Sequence, residues 1–261
     1  EEKCVRVKMH YLNNTEGKSK APGDAFFFDL LQRMNQELEP GKIRLSFDDN
    51  CIHRGELTTL ITQNTDISIL IGEDDPEVEF DENAINIYFL QAPPTNIYFA
   101  SHIGKHLVVP DFNFPLLMHE MGHALGLSHT FRGEGLELNG DPEPLDFLCK
   151  DPKAVYPNDT ILLCTIPDDG LCDTGIDPYT LDLDGDDERD GNKWVNLETC
   201  VQDQLLSPSI IDWCNDSITP WNIPIQNYMS YYQDCRNHFT PCQYGFMHER
   251  MNQNSLETLL D

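Results

Sequence analysis

Apolar and polar positions alternate from Val5 to Leu12 (V-R-V-K-M-H-Y-L), the period-two pattern of a half-buried strand. A polar loop, Asn13 to Gly23, follows. The period then changes: Phe27, Leu30, Leu31, Met34 and Leu38 recur at helical spacing between Asp24 and Leu38, and Pro40-Gly41 stops that helix. Ile43, Leu45 and Phe47 alternate with Arg44 and Ser46 in a second strand. A strand, a helix of this length and another strand predict a right-handed crossover and a mainly parallel sheet. Two more apolar runs, Ile67–Ile71 and Ile85–Leu90, flank the acidic loop Glu73–Glu82. Asn96 to Ser101 (N-I-Y-F-A-S) reads as a further strand, and Val108 and Val109 precede Pro110. In Asn113-Phe114-Pro115 the asparagine can cap a helix whose first turn accepts the proline.

Downstream the texture changes. Residues 132–225 are rich in Asp, Pro, Gly and Cys and carry little periodic signal, which predicts mostly irregular structure tied down by disulfides or ions. Order returns at Thr240-Pro241-Cys242-Gln243, a capping box with proline at the first helical position. The helix it opens runs towards Leu259, with Phe246 or Met247, Met251, Leu256 and Leu259 available for one face.

The helix that Asn113 opens carries the chemistry. It contains His119-Glu120-x-x-His123-x-x-Gly126-x-x-His129. Residues four apart share a helix face, so His119 and His123 can grip one metal ion. Glu120, one residue on, can reach a water beside the metal but not the metal itself. Gly126 can end the helix because it tolerates φ > 0, and the chain can then return His129 as a third ligand. Three protein nitrogens leave one position open, the pattern of a catalytic rather than a structural zinc site. Leu116, Leu117, Met118, Met121, Ala124 and Leu125 make this helix largely buried, and buried histidines need partners. The remaining histidines (10, 53, 102, 106, 238 and 248) have no ligand spacing and read as ordinary.

Composition narrows the class. At 261 residues the chain suffices for one large domain or two small subdomains. No apolar run approaches the ~20 residues of a membrane span. A net charge of −28, from 45 acids against 17 bases, argues against nucleic acid and anionic membranes as partners, whose phosphates it would repel. The chain opens Glu1-Glu2-Lys3-Cys4, without a basic start or an apolar leader, as expected of a cytosolic protein or a mature form. The nine cysteines favour the mature form. Spread singly, with no C-x-x-C pair, they read as disulfides in an oxidising compartment. Nine is odd, so at least one is free or pairs outside the chain. Cys4 and Cys51 stand at opposite ends of the two expected parallel strands, roughly 15–20 Å apart at ~3.3 Å per residue. That is too far for a bond and makes Cys4 the expected odd thiol.

Asp182, Asp184, Asp186, Glu188 and Asp190 form a dense oxygen cluster. Closely spaced acids with glycines suit calcium, which takes six to eight hard oxygens. It is not an EF-hand: position 187 is Asp where Gly belongs and position 193 is Lys where Glu belongs. A solvated acidic loop is the other reading.

Far downstream of the histidine motif, Asn227-Tyr228-Met229-Ser230-Tyr231 completes a second signal. The extended zinc motif followed by a turn carrying Met229 resembles the metzincin metallopeptidases. Within that clan, G-L-S-H-T-F after the zinc helix and N-Y-M-S-Y…D-C…F-T-P-C-Q…R-M near the end resemble the pappalysin family. The resemblance is sharp over residues 114–131 and 226–251. It implies an α+β metzincin fold in one catalytic domain. The upper subdomain, 1–129, holds the twisted, mainly parallel sheet and two long helices. The lower, 130–261, is mostly irregular and disulfide-bonded and ends in a helix. Met229 would be the hydrophobic floor beneath the three histidines, a role suited to a soft thioether. The strand around Tyr98, Phe99, Ala100 and Ser101 would border the cleft and bind substrate by strand addition. Asp234 stands where family members hold a basic residue just after the cut bond. Tyr231 stands where several metzincins place a tyrosine that helps stabilise the oxyanion; a packed core tyrosine is its other reading. By the same resemblance Cys235 pairs upstream of the methionine, with Cys200 the first choice, and Cys214 reaches back to Cys149, Cys164 or Cys172. Calcium in the lower region is also implied.

The expectation is thus a secreted zinc endopeptidase acting on peptides and proteins, with Arg or Lys preferred just after the scissile bond. Glu120 serves as general base, and an inhibitory pro-segment has been removed. A gluzincin-type site with Glu143 as third ligand is the rival within the enzyme class, and His129 and the methionine turn argue against it. A calcium-dependent binding or adhesion module with a vestigial zinc site is the rival outside it, and an intact Glu120 argues against that.

Overall fold

The structure, a computed structural model, describes residues 2–13, 22–56, 81, 83–90, 101–103, 105–110, 112–130, 174, 195–202, 209–212, 217–220, 223–232 and 235–253. The chain forms two compact units: Glu1–Leu127 with Tyr244–Asp261, and Ser128–Gln243.

In the first unit the alternating residues form β1 (Lys3–Asn13), the helical period forms α1 (Asp24–Leu38), and β2 is Ile43–Glu56. Val5, Val7, Met9 and Tyr11 on β1 and Phe27, Leu30, Met34 and Leu38 on α1 are buried. β1 and β2 are parallel neighbours, as a strand–helix–strand crossover requires. β2 runs well beyond the predicted Phe47. Val7 pairs with Phe47 but Met9 with Ile52, so residues 48–51 stand opposite Lys8 alone. That bulge breaks the alternation, which is why the polar D-D-N segment does not read as strand. β3 (Ile85–Leu90) and β5 (His106–Pro110) continue the parallel sheet, and β4 (Ser101–Ile103) lies antiparallel on β5 at the edge. The order is β2-β1-β3-β5-β4. β3 is central and buried from Ile85 to Phe89, hence its continuous apolar run. The runs 67–71 and 96–100 lie outside the described residues.

At the opposite sheet edge, the backbone of Leu45 on β2 is covered. The Asn35 side chain, on α1, donates to the Leu45 carbonyl (2.9 Å) and accepts from the Leu45 amide (2.6 Å). That pairs backbone groups of β2 that would otherwise invite another strand. Cys4 is exposed and free, as expected. Helix α2 (Phe114–Ala124) follows β5, and α3 (Pro241–Gln253) closes the described chain. Met247 and Met251 of α3 are buried, Phe246 half-buried, and Leu256 and Leu259 lie outside the described residues. Tyr244 contributes to the first unit, its hydroxyl donating to the Glu37 carbonyl at 2.6 Å. A Cβ at Gly41 would come within 2.9 Å of the Tyr244 ring, so this close approach requires glycine there.

The described residues of the second unit include short strands. Two antiparallel ribbons form, β6 (Val195–Asn196) with β7 (Val201–Gln202) and β8 (Ser209–Asp212) with β9 (Ser217–Pro220). Such strands of two to four residues are too short for periodicity to register. The Asn196 side chain accepts from the Glu198 and Thr199 amides, an Asx turn that reverses the first ribbon. Cys200 closes that turn and is bonded to Cys235, with their Cα atoms 5.3 Å apart. Linking residues 35 apart removes unfolded-chain entropy worth about 4 kcal/mol. Val195, Ile223, Ile225, Tyr232 and Cys235 form a small core around the bond.

Two histidines that read as ordinary flank Tyr88 in the sheet, His10 buried and His106 half-buried. The His10 ring lies 4.4 Å from that of Tyr88 and nearly parallel to it, and His10 Nε2 is 3.0 Å from Asn86 Oδ1. The Tyr88 hydroxyl is 3.3 Å from His106 Nδ1. Burial pushes the Tyr88 phenol far above its usual range. Burial, then the charge of Lys105, pushes His106 below 6.5. Both shifts favour neutral partners, with the phenol donating. A lowered folded value means that protonation costs more in the folded chain. The stability that His106 contributes is complete above its unfolded value and is lost as pH falls through the lower folded one. Thermal midpoints measured from about pH 8 to about pH 4.5 should therefore fall more steeply in the wild type than in His106→Gln. Parallel curves would remove His106 from the acid response.

Candidate metal centre

The site begins with the placement of α2. Phe112, just before it, packs on Phe26 (ring centroids 4.5 Å) and Phe89 (4.9 Å), which ties the helix entry to α1 and β3. The Arg33 guanidinium covers the Phe114 ring at 4.1 Å. Asn113 Oδ1 accepts the Leu116 amide at 3.0 Å, the expected cap. One helical turn further, His119 and Glu120 are almost wholly buried, 3% and 4% exposed. The rings of His119 and His123 are 4.7 Å apart and perpendicular, as spacing by four residues dictates.

The helix stops at once after His123. Gly126 has φ +98°, its amide donates to the His123 carbonyl (2.8 Å), and the Leu127 amide donates to the Gly122 carbonyl (2.9 Å). These paired bonds are the Schellman arrangement, in which a left-handed residue reverses the chain. The reversal aims the Leu127 carbonyl at His123 Nδ1, 2.8 Å away. An Nδ1–H donating there fixes the tautomer and leaves Nε2 free to bind a metal.

His119, His123 and His129 each offer a ring nitrogen, and these atoms lie within 4.8 Å of one another. Zinc binds imidazole nitrogens at about 2.0–2.1 Å, so three such donors would stand about 3.4 Å apart around it. The donor set therefore fits zinc: three neutral nitrogens, with a carboxylate next in sequence to one of them.

Tyr231 and Met229 lie in the second unit. The Tyr231 ring meets that of His129 edge-on at 4.7 Å. It is 40% exposed, so Tyr231 is not a packed core tyrosine. Met229 is fully buried, in a turn closed by the Ser230 amide on the Asn227 carbonyl (3.1 Å). Its own carbonyl accepts the Thr130 amide at 3.1 Å. Thr130, Asn227 and Gln243 carry contacts at this turn that the motif reading did not assign. An Asx-turn signal was present in N-Y-M, but nothing in the sequence pointed to Thr130. Ser101 lies at the start of β4, on the sheet edge. Tyr98, Phe99, Ala100, Asp234 and the acidic cluster Asp182, Asp184, Asp186, Glu188 and Asp190 lie outside the described residues.

Fold and site together define the class: an α+β, metzincin-like fold carrying three grouped histidines. The mature mirolysin of Tannerella forsythia, solved in complex with a cleaved peptide, resembles this chain with a TM-score of 0.55. The match covers 100% of this chain and 99% of that one at 14% identity, a likeness of fold. A chaperone–substrate complex matches at a TM-score of 0.33 and 17% identity, over 49% of this chain and 24% of that one, below the level of a shared fold. No family model and no curated protein sequence matches the chain.

The turn at Gly126 makes its own prediction. Alanine there meets both a positive φ and Arg250, whose Cγ would stand 3.2 Å from the new Cβ. Gly126→Ala should cost about 1–3 kcal/mol in denaturant unfolding. In an Arg250→Ala background part of that cost should return, measured as a double-mutant cycle. Full recovery would assign the glycine to the side-chain contact alone.

Proposed function

We propose that the protein is a secreted zinc-dependent endopeptidase that cuts peptide bonds preferentially before Arg or Lys. The observation that carries this reading is the group of three imidazoles, with buried Glu120 next to His119 in sequence. His119, His123 and His129 would hold zinc, which would supply Lewis acidity to the scissile carbonyl and to an attacking water. His123 is held in one tautomer by the Leu127 carbonyl and is presented ready to bind. Glu120 takes the proton of the attacking water and passes it to the leaving amine. The Tyr231 phenol, partly exposed beside His129, donates to the developing oxyanion. β4, at the antiparallel edge of the sheet, suits an extended substrate that adds as one more strand; Ser101 and the residues before it are the proposed contact. Asp234 is proposed to bind the basic side chain just after the cut.

The Cys200–Cys235 bond supports an oxidising, extracellular setting. No helix among the described residues is long and apolar enough to cross a membrane. A removed inhibitory pro-segment and calcium held by the 182–190 acids complete the proposal.

Cleavage of a peptide library, followed by mass spectrometry, is the direct test. A chelator should abolish cleavage and added zinc restore it. Glu120→Ala should lower kcat by about 10²–10⁴-fold while zinc content is retained. Cleavage that survives this substitution would discard Glu120 as the base. Absence of cleavage by folded, zinc-loaded wild type would discard the peptidase in favour of a binding module. Cut sites should lie before Arg or Lys, and Asp234→Asn should flatten that preference. A preference that persists in the variant would move its origin to another residue.

A further inference from the structure

The main chain of Met229 is held from both sides. Its carbonyl accepts the Thr130 amide (3.1 Å) and hydroxyl (3.4 Å), and Thr130 directly follows His129. Its amide donates to Asn227 Oδ1 at 2.8 Å. Asn227 is in turn paired with Gln243 across sixteen residues. Its Nδ2 donates to Gln243 Oε1 (2.9 Å), and Gln243 Nε2 donates back to Asn227 Oδ1 (3.2 Å). Gln243 Oε1 also accepts the Thr240 amide (3.0 Å), while the Thr240 hydroxyl accepts the Gln243 amide (3.2 Å). This second exchange is the capping box of α3.

Both amide orientations are fixed by the backbone. The Met229 and Thr240 amides each need an oxygen, so the two side chains must present oxygen outward to them and meet each other as a complementary pair. Asn227, Ser230 and Gln243 are buried, so turning the 227–230 segment would strand several polar groups out of water. The Ser230 hydroxyl, donating to the Asn227 carbonyl at 2.9 Å, adds to the same lock.

We infer that Asn227 and Gln243 are a positioning pair that fixes the Met229 backbone and, through Thr130, the placement of His129 as a metal ligand. The pair touches neither substrate nor reacting atoms. The inference rests on the zinc reading above. Loss of a group that orients a ligand typically costs 10–100-fold in metal affinity, and this pair acts on the ligand that comes from outside the helix.

The test is the rate at which zinc-loaded protein releases zinc to a chelator, measured well below the thermal midpoint, together with the visible spectrum of the cobalt-substituted form. Asn227→Leu keeps the side-chain size and deletes the pair. Gln243→Glu keeps the acceptor for the Thr240 amide but opposes an oxygen to Asn227 Oδ1, and it carries the test if Asn227→Leu does not fold. Thr240→Val removes the hydroxyl half of the capping box and leaves the pair intact. Release should be about 10–100 times faster, with an altered cobalt spectrum, in Asn227→Leu and Gln243→Glu. Thr240→Val should lower the thermal midpoint and release zinc at the wild-type rate. Wild-type rates in the first two variants, or equal acceleration in Thr240→Val, would overturn the inference while leaving the zinc site standing. A wild type that takes up neither zinc nor cobalt would overturn the zinc reading itself and this inference with it.

Discussion

A helix that supplies two ligands four residues apart has to end immediately if its own continuation is to deliver the third. That constraint organises the region from Asn113 to Thr130. Continuing the α2 helix would carry His129 about 9 Å further along the axis than His123, at 1.5 Å per residue. Gly126 at φ +98° ends it, and the two Schellman bonds satisfy carbonyls that a frayed end would leave to water. The same reversal turns the Leu127 carbonyl onto His123, so the device that ends the helix also sets the imidazole tautomer. Leu127 is buried, the apolar contact that commonly accompanies this cap.

The glycine is constrained twice, by its own dihedral and by Arg250 lying against it. Gly41 is constrained by neighbour alone: the Tyr244 ring occupies the space of its Cβ. Both contacts are made by α3, a helix that comes more than a hundred residues after α2 in the chain. Tyr244 and Arg250 lie in the first unit with the glycines they contact.

Buried polar groups recur wherever position matters. The Asn227–Gln243 pair, the Asn35 clasp on Leu45 and the His10–Asn86 contact each satisfy groups that a hydrophobic replacement would strand. Their net energy is modest, but they are directional, so they select one arrangement where apolar packing would accept several. The Cys200–Cys235 bond serves the second unit differently, by limiting its unfolded chain.

The sequence by itself determined whatever depends on neighbours in the chain. Period two foretold β1, period 3.6 foretold the bounds of α1, and Asn113, Gly126 and Thr240-x-x-Gln243 marked helix ends that formed as read. The grouping of His119 with His123 was legible because a helix converts spacing by four into a shared face. The Cys200–Cys235 link was legible only through resemblance to a family. Tertiary structure decided what spacing cannot encode. It turned β2 through a bulge beyond Phe47, placed His10 and His106 on either side of Tyr88, and paired residues 227 and 243. It also brought Thr130 to Met229, 99 positions away. Such contacts depend on which surfaces meet after folding, and a side chain's own neighbours in sequence carry no record of that.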